Sequence, residues 1–389
     1  MKKIISILGS TGSIGLSTLR IVDKKSNYFT VNILLANKNY NIICKQIKKY
    51  KPKVFIINNY KIYTKIKKKF NKKNIKILNN LESANLNKSD ITISAIPGIA
   101  GLKPTLSIIK LTKKLLIANK EAIICGWNLI KNKAATNKVK IIPVDSEHFS
   151  IMKLIENYKL NDIKKIYITA SGGPFLNYKV SQFKKIKPSE AIKHPKWKMG
   201  KKISIDSSTL MNKMFELVEA QKLFNLPDDK IDVLIHPDSL VHAIVVFNNG
   251  LTKFIYHETS MIIPLANAIF EKNLTIDNFF KIKNNNKQLI ARNLTFQKPN
   301  EKIFPILKLK RRINEHPSTS IILNAANEIL VDQFLKKKIP FLGISKMIIA
   351  ILKDSNYKKY AIRNPKNLDE VMIIDKWTRE SIFKKIKHS

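Results

Sequence analysis

The residues best equipped for chemistry begin with Asp145-Ser146-Glu147-His148, which follows the apolar run Lys140–Val144. Two carboxylates one residue apart, just past a strand, can point the same way. Hard oxygen donors with no cysteine beside them suit Mg²⁺ or Mn²⁺ rather than zinc. The same pattern also serves as a helix cap. Glu216 is the candidate third ligand, at the end of Asp206-Ser207-Ser208-Thr209-Leu210-Met211-Asn212-Lys213-Met214-Phe215-Glu216. Asp206 or Ser207 would cap this helix, after a short strand at Ile203–Ile205. Lys213 and Glu216, three apart, share a helix face, as a plain surface ion pair would also do. Ser171-Gly172-Gly173-Pro174 offers a hydroxyl and free backbone N–H groups, an anion nest. The Lys-rich stretch that follows contains His194-Pro195-Lys196-Trp197-Lys198-Met199-Gly200. Glycine at both ends and an aromatic near the tip suit a lid over about 174–200 that excludes water, though an ordinary loop also has these features. His236 and His242 lie on strands read as adjacent, where a histidine is more often a satisfied core residue than a catalyst.

A second constellation opens the chain. Gly9-Ser10-Thr11-Gly12-Ser13-Ile14-Gly15 follows a strand and starts a helix. Glycine lets backbone approach a phosphate, and the helix N-terminus supplies N–H groups and a positive dipole. Thr11, Gly12, Ser13 and Ile14 are therefore candidate cofactor contacts. An NAD site usually carries an acid about 20 residues further on, for the ribose 2′-hydroxyl. Here the second strand ends in Ala36-Asn37-Lys38-Asn39, with no acid. A lysine and two amides suit a 2′-phosphate, which favours NADP(H) over NAD(H). Asn119-Lys120-Glu121 lies just past another strand end, where open α/β sheets bind ligands. Asn119 is also a good helix cap.

These groups need a scaffold. Lys3–Leu8, Val31–Ala36, Val54–Ile57, Ile75–Leu78, Ile91–Ile96 and Leu115–Ala118 read as buried strands. Helix-like stretches such as Leu16–Lys25 and Lys61–Phe70 lie between them. That alternation predicts an α/β fold with an N-terminal Rossmann-like, doubly wound parallel sheet. A second, α+β set begins near Ile141 and includes Ile166–Thr169, Val233–Ile235, Ala243–Phe247 and Leu251–Tyr256. Asn248-Asn249-Gly250 joins the last two as a hairpin turn. Residues 271–300 look like a linker, and Ser320–Leu335, Ile344–Asp354 and Leu368–Ile386 read as helices. The expected division is 1–135 for the cofactor, 136–270 for catalysis, metal and substrate, 271–296 as linker and 297–389 as a C-terminal helical domain.

With 44% hydrophobic and 25% charged residues over 389, the chain is neither disordered nor collagen-like. No apolar run approaches the ~18 residues of a membrane span. The apolar part of Met-Lys-Lys-Ile-Ile-Ser-Ile-Leu-Gly is too short for a secretory signal, so no membrane partner is expected. Cys44 and Cys125 make no metal or redox spacing, and the cytoplasm is the default compartment. The net charge of +43 invites a nucleic-acid reading, but only six of 71 basic residues are arginine. The lysines are spread along the chain among many Ile and Asn, all residues of A/T-rich codons. Unpatterned charge does not argue a nucleic-acid partner. It does steer anionic small molecules toward a site.

Taken in order, GSTGSIG, ANKEA, PVDSEH, TASGGPF, HPKWKMGKKISIDSSTLMNKMFE, HPDSLVHAIV and LNAANEILV closely resemble the 1-deoxy-D-xylulose 5-phosphate reductoisomerase family. The likeness runs nearly end to end and is weakest over 271–310. It implies NADPH- and metal-dependent isomerisation and reduction of 1-deoxy-D-xylulose 5-phosphate to 2-C-methyl-D-erythritol 4-phosphate, in the non-mevalonate isoprenoid route. It implies Mg²⁺, Mn²⁺ or possible Co²⁺ on Asp145, Glu147 and Glu216, and substrate phosphate on Ser171, Ser207, Asn212 and Lys213. Lys120, Ser146 and His194 match other substrate contacts, and Trp197 matches a lid indole that packs on ligand. Lys120 and His194 count with the acids as catalytic. Cofactor positions fall on Thr11, Gly12, Ser13, Ile14, Asn37, Lys38, Asn39, Asn119, Glu121 and Gly200, and a homodimer is implied. Two departures stand out. Asn37 replaces a usual glycine and would crowd the adenosine pocket, and Ser260–Pro264 lacks an arginine near Ile262.

Two rival classes remain on the residues alone. A plain NADP-dependent dehydrogenase, such as a semialdehyde or homoserine dehydrogenase, does not need an acid cluster plus an anion nest on separate segments. A basic RNA-binding protein is opposed by the scarcity of arginine and the lack of an aromatic-basic stripe.

Overall fold

A computed structural model describes residues 2–82, 87–197, 199–271, 274–276 and 294–387. Most of the expected linker over 271–296 lies outside the described residues. The chain forms two compact units. The first comprises Met1–Ala122, Trp127–Phe149 and Ser260–Arg292. The second comprises Ile123–Gly126, Ser150–Thr259 and Asn293–Ser389.

The first unit is built on a seven-stranded, all-parallel sheet. Its strands are β1 (Lys3–Leu8), β2 (Phe29–Ala36), β3 (Val54–Ile57), β4 (Lys76–Leu78), β5 (Ser89–Ser94), β6 (Thr112–Ile117) and β7 (Lys140–Pro143). The spatial order is β4-β3-β2-β1-β5-β6-β7. The order reverses direction between β1 and β5, the crevice where doubly wound sheets bind nucleotides. The strands are short runs rich in Ile, Leu and Val, and Ile5, Ile7, Ile33, Leu34, Phe55, Ile56 and Ile93 are fully buried. The helices α1 (Ser13–Lys24), α2 (Tyr40–Tyr50), α3 (Tyr60–Lys69), α4 (Leu102–Ile108), α5 (Lys120–Thr136) and α6 (Ser146–Ile155) follow strands in alternation. Strand β7, expected to open the second region, instead pairs with β6 from Lys114↔Lys140 to Ile117↔Pro143.

The second unit holds a mixed sheet of β8 (Ile163–Ala170), β9 (Ile231–Ile235), β10 (Val241–Phe247) and β11 (Thr252–Tyr256), ordered β11-β10-β8-β9. The β10–β11 hairpin forms at the predicted turn, with Gly250 at φ 86°. β9 and β10 flank β8, so the His236 and His242 segments are not on adjacent strands. A short helix α7 (Pro188–Ala191) precedes α8 (Lys201–Ser208) and α9 (Met211–Phe224). Ile203–Ile205, read as a strand from its alternation, lies inside α8. Asp206 and Ser207 therefore belong to the end of α8 and do not cap α9, which starts after Leu210 in a left-handed turn at φ 66°.

Helix α10 (Ile262–Phe270) packs on α1 in the first unit, with Ile262 buried. Lys114 (2.8 Å) and Lys140 (3.2 Å) both reach Glu271 at its end, and the hydrogen bond from Lys114 leads in drawing that carboxyl down to about 2. The C-terminal helices α11 (Thr319–Leu335), α12 (Phe341–Ile351), α13 (Tyr357–Ala361) and α14 (Leu368–Lys387) match the expected helical region. Arg379 on α14 makes two bonds to Asp375 (2.6 and 3.0 Å) and one to Glu328 on α11 (2.5 Å).

Candidate active site

The glycine turn after β1 sits against the end of β5. Gly9 has φ 90°, and a Cβ there would lie 2.6 Å from the Ala95 carbonyl oxygen. A Cβ on Gly15 would lie 2.4 Å from the Gly9 carbonyl oxygen. The turn is thus closed by backbone on both sides, and only glycine fits. The N–H groups of Gly9 and Ser10 both donate to Leu35 of β2 at 2.9 Å. Gly12 and Ser13 are exposed at the start of α1, with Thr11 and Ile14 half-buried beside them. This leaves the helix N-terminus facing outward, as an anion site requires. Asn37, Lys38 and Asn39 are exposed past the end of β2. Asn39 also caps α2, accepting from Ile42 N–H at 3.2 Å.

One residue of this turn had no signal in the sequence. Gln46 on α2, 3% exposed, accepts from Ser10 Oγ and donates to the Ser10 carbonyl, both at 2.8 Å. Its amide locks the turn to a second helix.

Past β6, Asn119 caps α5 by accepting from Ala122 N–H at 3.0 Å. Its amide donates to the carbonyls of Ile96 and Gly98 beyond β5. The next residue, Lys120, is 7% exposed and lies 3.3 Å from Asp145 Oδ2. Asp145 caps α6, accepting from Glu147 N–H at 3.1 Å, and its Oδ1 lies 3.0 Å from His148 Nδ1. Ser146 Oγ donates to Glu147 at 2.5 Å. The first unit thus joins Lys120, Asp145, Ser146 and Glu147, with buried His148 behind them and Glu121 buried on the first turn of α5.

The second unit gathers Ser171, His194, Ser207, Asn212, Lys213 and Glu216. Gly172 (φ 82°) and Gly173 (φ 64°) turn the chain after β8, and a Cβ on Gly173 would press within 3.0 Å of the Ser207 carbonyl. Gly173 N–H donates to Ser171 Oγ at 3.1 Å, and His194 Nε2 lies 2.9 Å from the same oxygen. His194 Nδ1 accepts from Trp197 N–H (2.9 Å) and Lys196 N–H (3.2 Å). An accepting Nδ1 fixes the neutral tautomer with hydrogen on Nε2. Ser171 Oγ then accepts twice, and its own proton remains to be donated outward. On α9, Asn212 (2.5 Å) and Lys213 (2.5 Å) both bind the Glu216 carboxylate, which is 1% exposed.

The stretch read as a lid is not uniform. Phe175 and Phe183 are buried and pack edge-on against Phe341 of α12 or tilted toward it, at centroid separations of 5.3 and 6.1 Å. In His194–Gly200, Pro195, Lys196 and Gly200 are exposed, His194, Trp197 and Met199 are half-buried, and Lys198 lies outside the described residues. Trp197 meets His242 edge-on at 6.1 Å, and His242 stacks on His257 at 3.9 Å. His236 stacks on Phe296 and bonds the Thr295 carbonyl at 2.9 Å, a core role. A Cβ on Gly200 would meet nothing within 4 Å, so the fold itself does not demand glycine there.

Three segments match family descriptions: residues 5–126 the 1-deoxy-D-xylulose 5-phosphate reductoisomerase family, 141–224 its C-terminal domain, and 258–381 the DXP reductoisomerase C-terminal domain. The 1-deoxy-D-xylulose 5-phosphate reductoisomerase of Pelagibacter ubique is 45% identical over 377 residues, covering 95% of this chain and 96% of its own. The chain belongs to the 1-deoxy-D-xylulose 5-phosphate reductoisomerase family. The reductoisomerase of Buchnera aphidicola subsp. Schizaphis graminum is 41% identical, with 99% of each chain covered. Among solved structures, a DOX-P reductoisomerase in complex with NADPH, fosmidomycin and magnesium has a TM-score of 0.89 at 31% identity, covering 99% of this chain and 98% of its own. The Zymomonas mobilis reductoisomerase in complex with NADPH has a TM-score of 0.88 at 30% identity, with 99% of each chain covered.

Burial first and the Lys213 charge second push the His194 imidazole down to about 4. Its folded value lies below the ordinary one near 6.5. The neutral ring therefore contributes stability above about pH 6.5, and this is lost as pH falls toward 4. Protonation puts hydrogen on Nδ1 and breaks both loop N–H bonds. A proton NMR titration is expected to keep the His194 ring neutral at pH 5.5, with Trp197 fluorescence changing only in more acidic solution. A midpoint at 6.5 or above would refute the burial argument.

Proposed function

We propose that this chain converts 1-deoxy-D-xylulose 5-phosphate to 2-C-methyl-D-erythritol 4-phosphate, using NADPH and a divalent cation, and that the residues gathered above do so in the roles that follow. The observation that carries the reading is the Ser171 cradle, whose oxygen accepts two N–H groups and whose proton is left to donate to an anion. When bound, NADPH supplies hydride and the cation supplies Lewis acidity.

The all-oxygen donor set of Asp145, Glu147 and Glu216, half-buried, half-buried and buried, suits Mg²⁺ or Mn²⁺, with Co²⁺ possible. The glycine turn, closed to any Cβ, suits the cofactor pyrophosphate on the N–H groups of Thr11, Gly12, Ser13 and Ile14. Lys38 and Asn39 hold the 2′-phosphate, with Asn37 beside the adenosine. Asn119, Glu121 and Gly200 complete the cofactor contacts. Open space at Gly200 leaves room for that approach.

Ser171, Ser207, Asn212 and Lys213 bind the substrate phosphate, and neutral His194 donates to it through Ser171. This remote binding energy orients the reacting carbons. Lys120, held beside Asp145, stabilises negative charge that develops on the substrate oxygen while carbon–carbon cleavage and rejoining proceed. Ser146 binds a substrate hydroxyl, and Trp197 covers the ligand and excludes water. The reading extends to a homodimer in the cytoplasm. Cys44 and Cys125 are both buried, which suits thiols kept reduced in the cytoplasm. No described helix is long and apolar enough to cross a membrane.

The direct test follows NADPH absorbance with the substrate, with Mg²⁺ present or chelated. Metal-dependent oxidation, with NADH much poorer, is expected; a folded sample that oxidises nothing with either Mg²⁺ or Mn²⁺ would overturn the reading. Glu216→Gln is expected to lower kcat by ~10²-fold or more. Unchanged turnover would remove Glu216 from the ligand set. Lys213→Ala is expected to raise the substrate KM by roughly 10- to 100-fold, from loss of a charge-assisted bond. A fall in kcat alone would contradict the anchoring role.

A further inference from the structure

Next to the phosphate contacts stands a buried carboxylate whose charge runs against their purpose. Asp206, 2% exposed, immediately precedes Ser207 at the end of α8. Its Oδ2 accepts from Lys202 at 2.9 Å, and its Oδ1 accepts from the Asn327 amide of α11 at 2.7 Å. Asn327 is fully buried, and its own Oδ1 has no hydrogen-bond partner among the described residues. Burying both groups is costly, and an apolar pair of the same size would pack α8 on α11 without that cost. What an apolar pair lacks is direction.

The Lys202–Asp206 bond lies within one helix, so that bond does not fix α8 against α11. The bond from Asn327 does. The constrained segment is also the sensitive one: Ser207 abuts the Gly172-Gly173 turn, and the left-handed Leu210 joins α8 to the residues Asn212 and Lys213. We propose that Asn327 is a positioning residue for the phosphate site, fixing Asp206 and through it the corner that presents Ser207, Asn212 and Lys213. The inference rests on the function proposed above.

The test compares 1-deoxy-D-xylulose 5-phosphate with 1-deoxy-D-xylulose, which lacks the phosphate, in the full-length protein. For Asn327→Leu, the KM for the phosphorylated substrate is expected to rise about 10-fold with kcat within about 3-fold, a loss the size of one buried hydrogen bond. Activity on the unphosphorylated sugar should be unchanged, so discrimination for phosphate shrinks. Calorimetric titration with the phosphorylated substrate without NADPH should show the same loss. Exchanging the pair, Asp206→Asn with Asn327→Asp, keeps a directed bond and should restore discrimination. If the leucine variant does not fold, Asn327→Ala serves in its place. Equal losses on both substrates, full discrimination in the single variant, or failure of the exchanged pair would each overturn the positioning role. Wild-type turnover of the phosphorylated substrate separates these outcomes from failure of the function itself.

Discussion

A charge cannot be buried alone, and that constraint organises the charged residues within each unit. Lys120 and Lys213 are each 7% exposed and Glu216 is 1% exposed. An unpaired ion at such depth costs several kcal/mol, enough to consume much of a domain's stability. Each is accordingly paired within its own unit. Lys120 meets Asp145, Lys213 meets Glu216, and Asp206 meets Lys202. The pairs hold these carboxylate and ammonium groups in fixed orientations within each unit.

A second constraint is steric and acts at the crossover of the parallel sheet. Between β1 and β5 the backbone of Gly9 approaches that of Ala95 so closely that no side chain fits. Strand order puts this turn at the carboxyl ends of β1 and β5, beside the Ile96 and Gly98 carbonyls that hold Asn119. Cofactor turn and Asn119 are thus placed by one sheet, and the Ser10–Gln46 pair removes the remaining freedom of the loop.

Much of this was legible because short parallel strands announce themselves. Lys3–Leu8 and Val54–Ile57 have the bounds that their apolar runs suggest, and the Asn248-Asn249-Gly250 hairpin follows from turn chemistry. Ile203–Ile205 misled because an apolar-polar-apolar triplet has strand period, while its helix is fixed by tertiary packing and by Ser204 bonding back to Gly200. The left-handed Leu210 carries no local signal, since leucine rarely takes that conformation. Gln46 and Asn327 were invisible for a related reason. Their partners, Ser10 and Asp206, lie 36 and 121 residues away, and only the folded chain brings them together. The segment after Ser171 reads as one lid, but its aromatic residues Phe175 and Phe183 are anchored in the Phe341 cluster, while the residues between them and the half-buried Trp197 range from exposed to buried.

Net charge illustrates the same divide between composition and structure. A surface lysine keeps its hydration and its rotamer freedom, so adding many costs little and specifies little. A buried lysine must find a partner or lose its proton. Lys222 shows the second course in progress: burial draws its amine down to about 8 while it donates to the Ile124 carbonyl (2.6 Å) and Ser320 (3.0 Å). Lys120 and Lys213 show the first, each with a carboxylate in reach. Of 65 lysines, Lys120 and Lys213 are taken out of water by the fold, and a charge of +43 could not have located them.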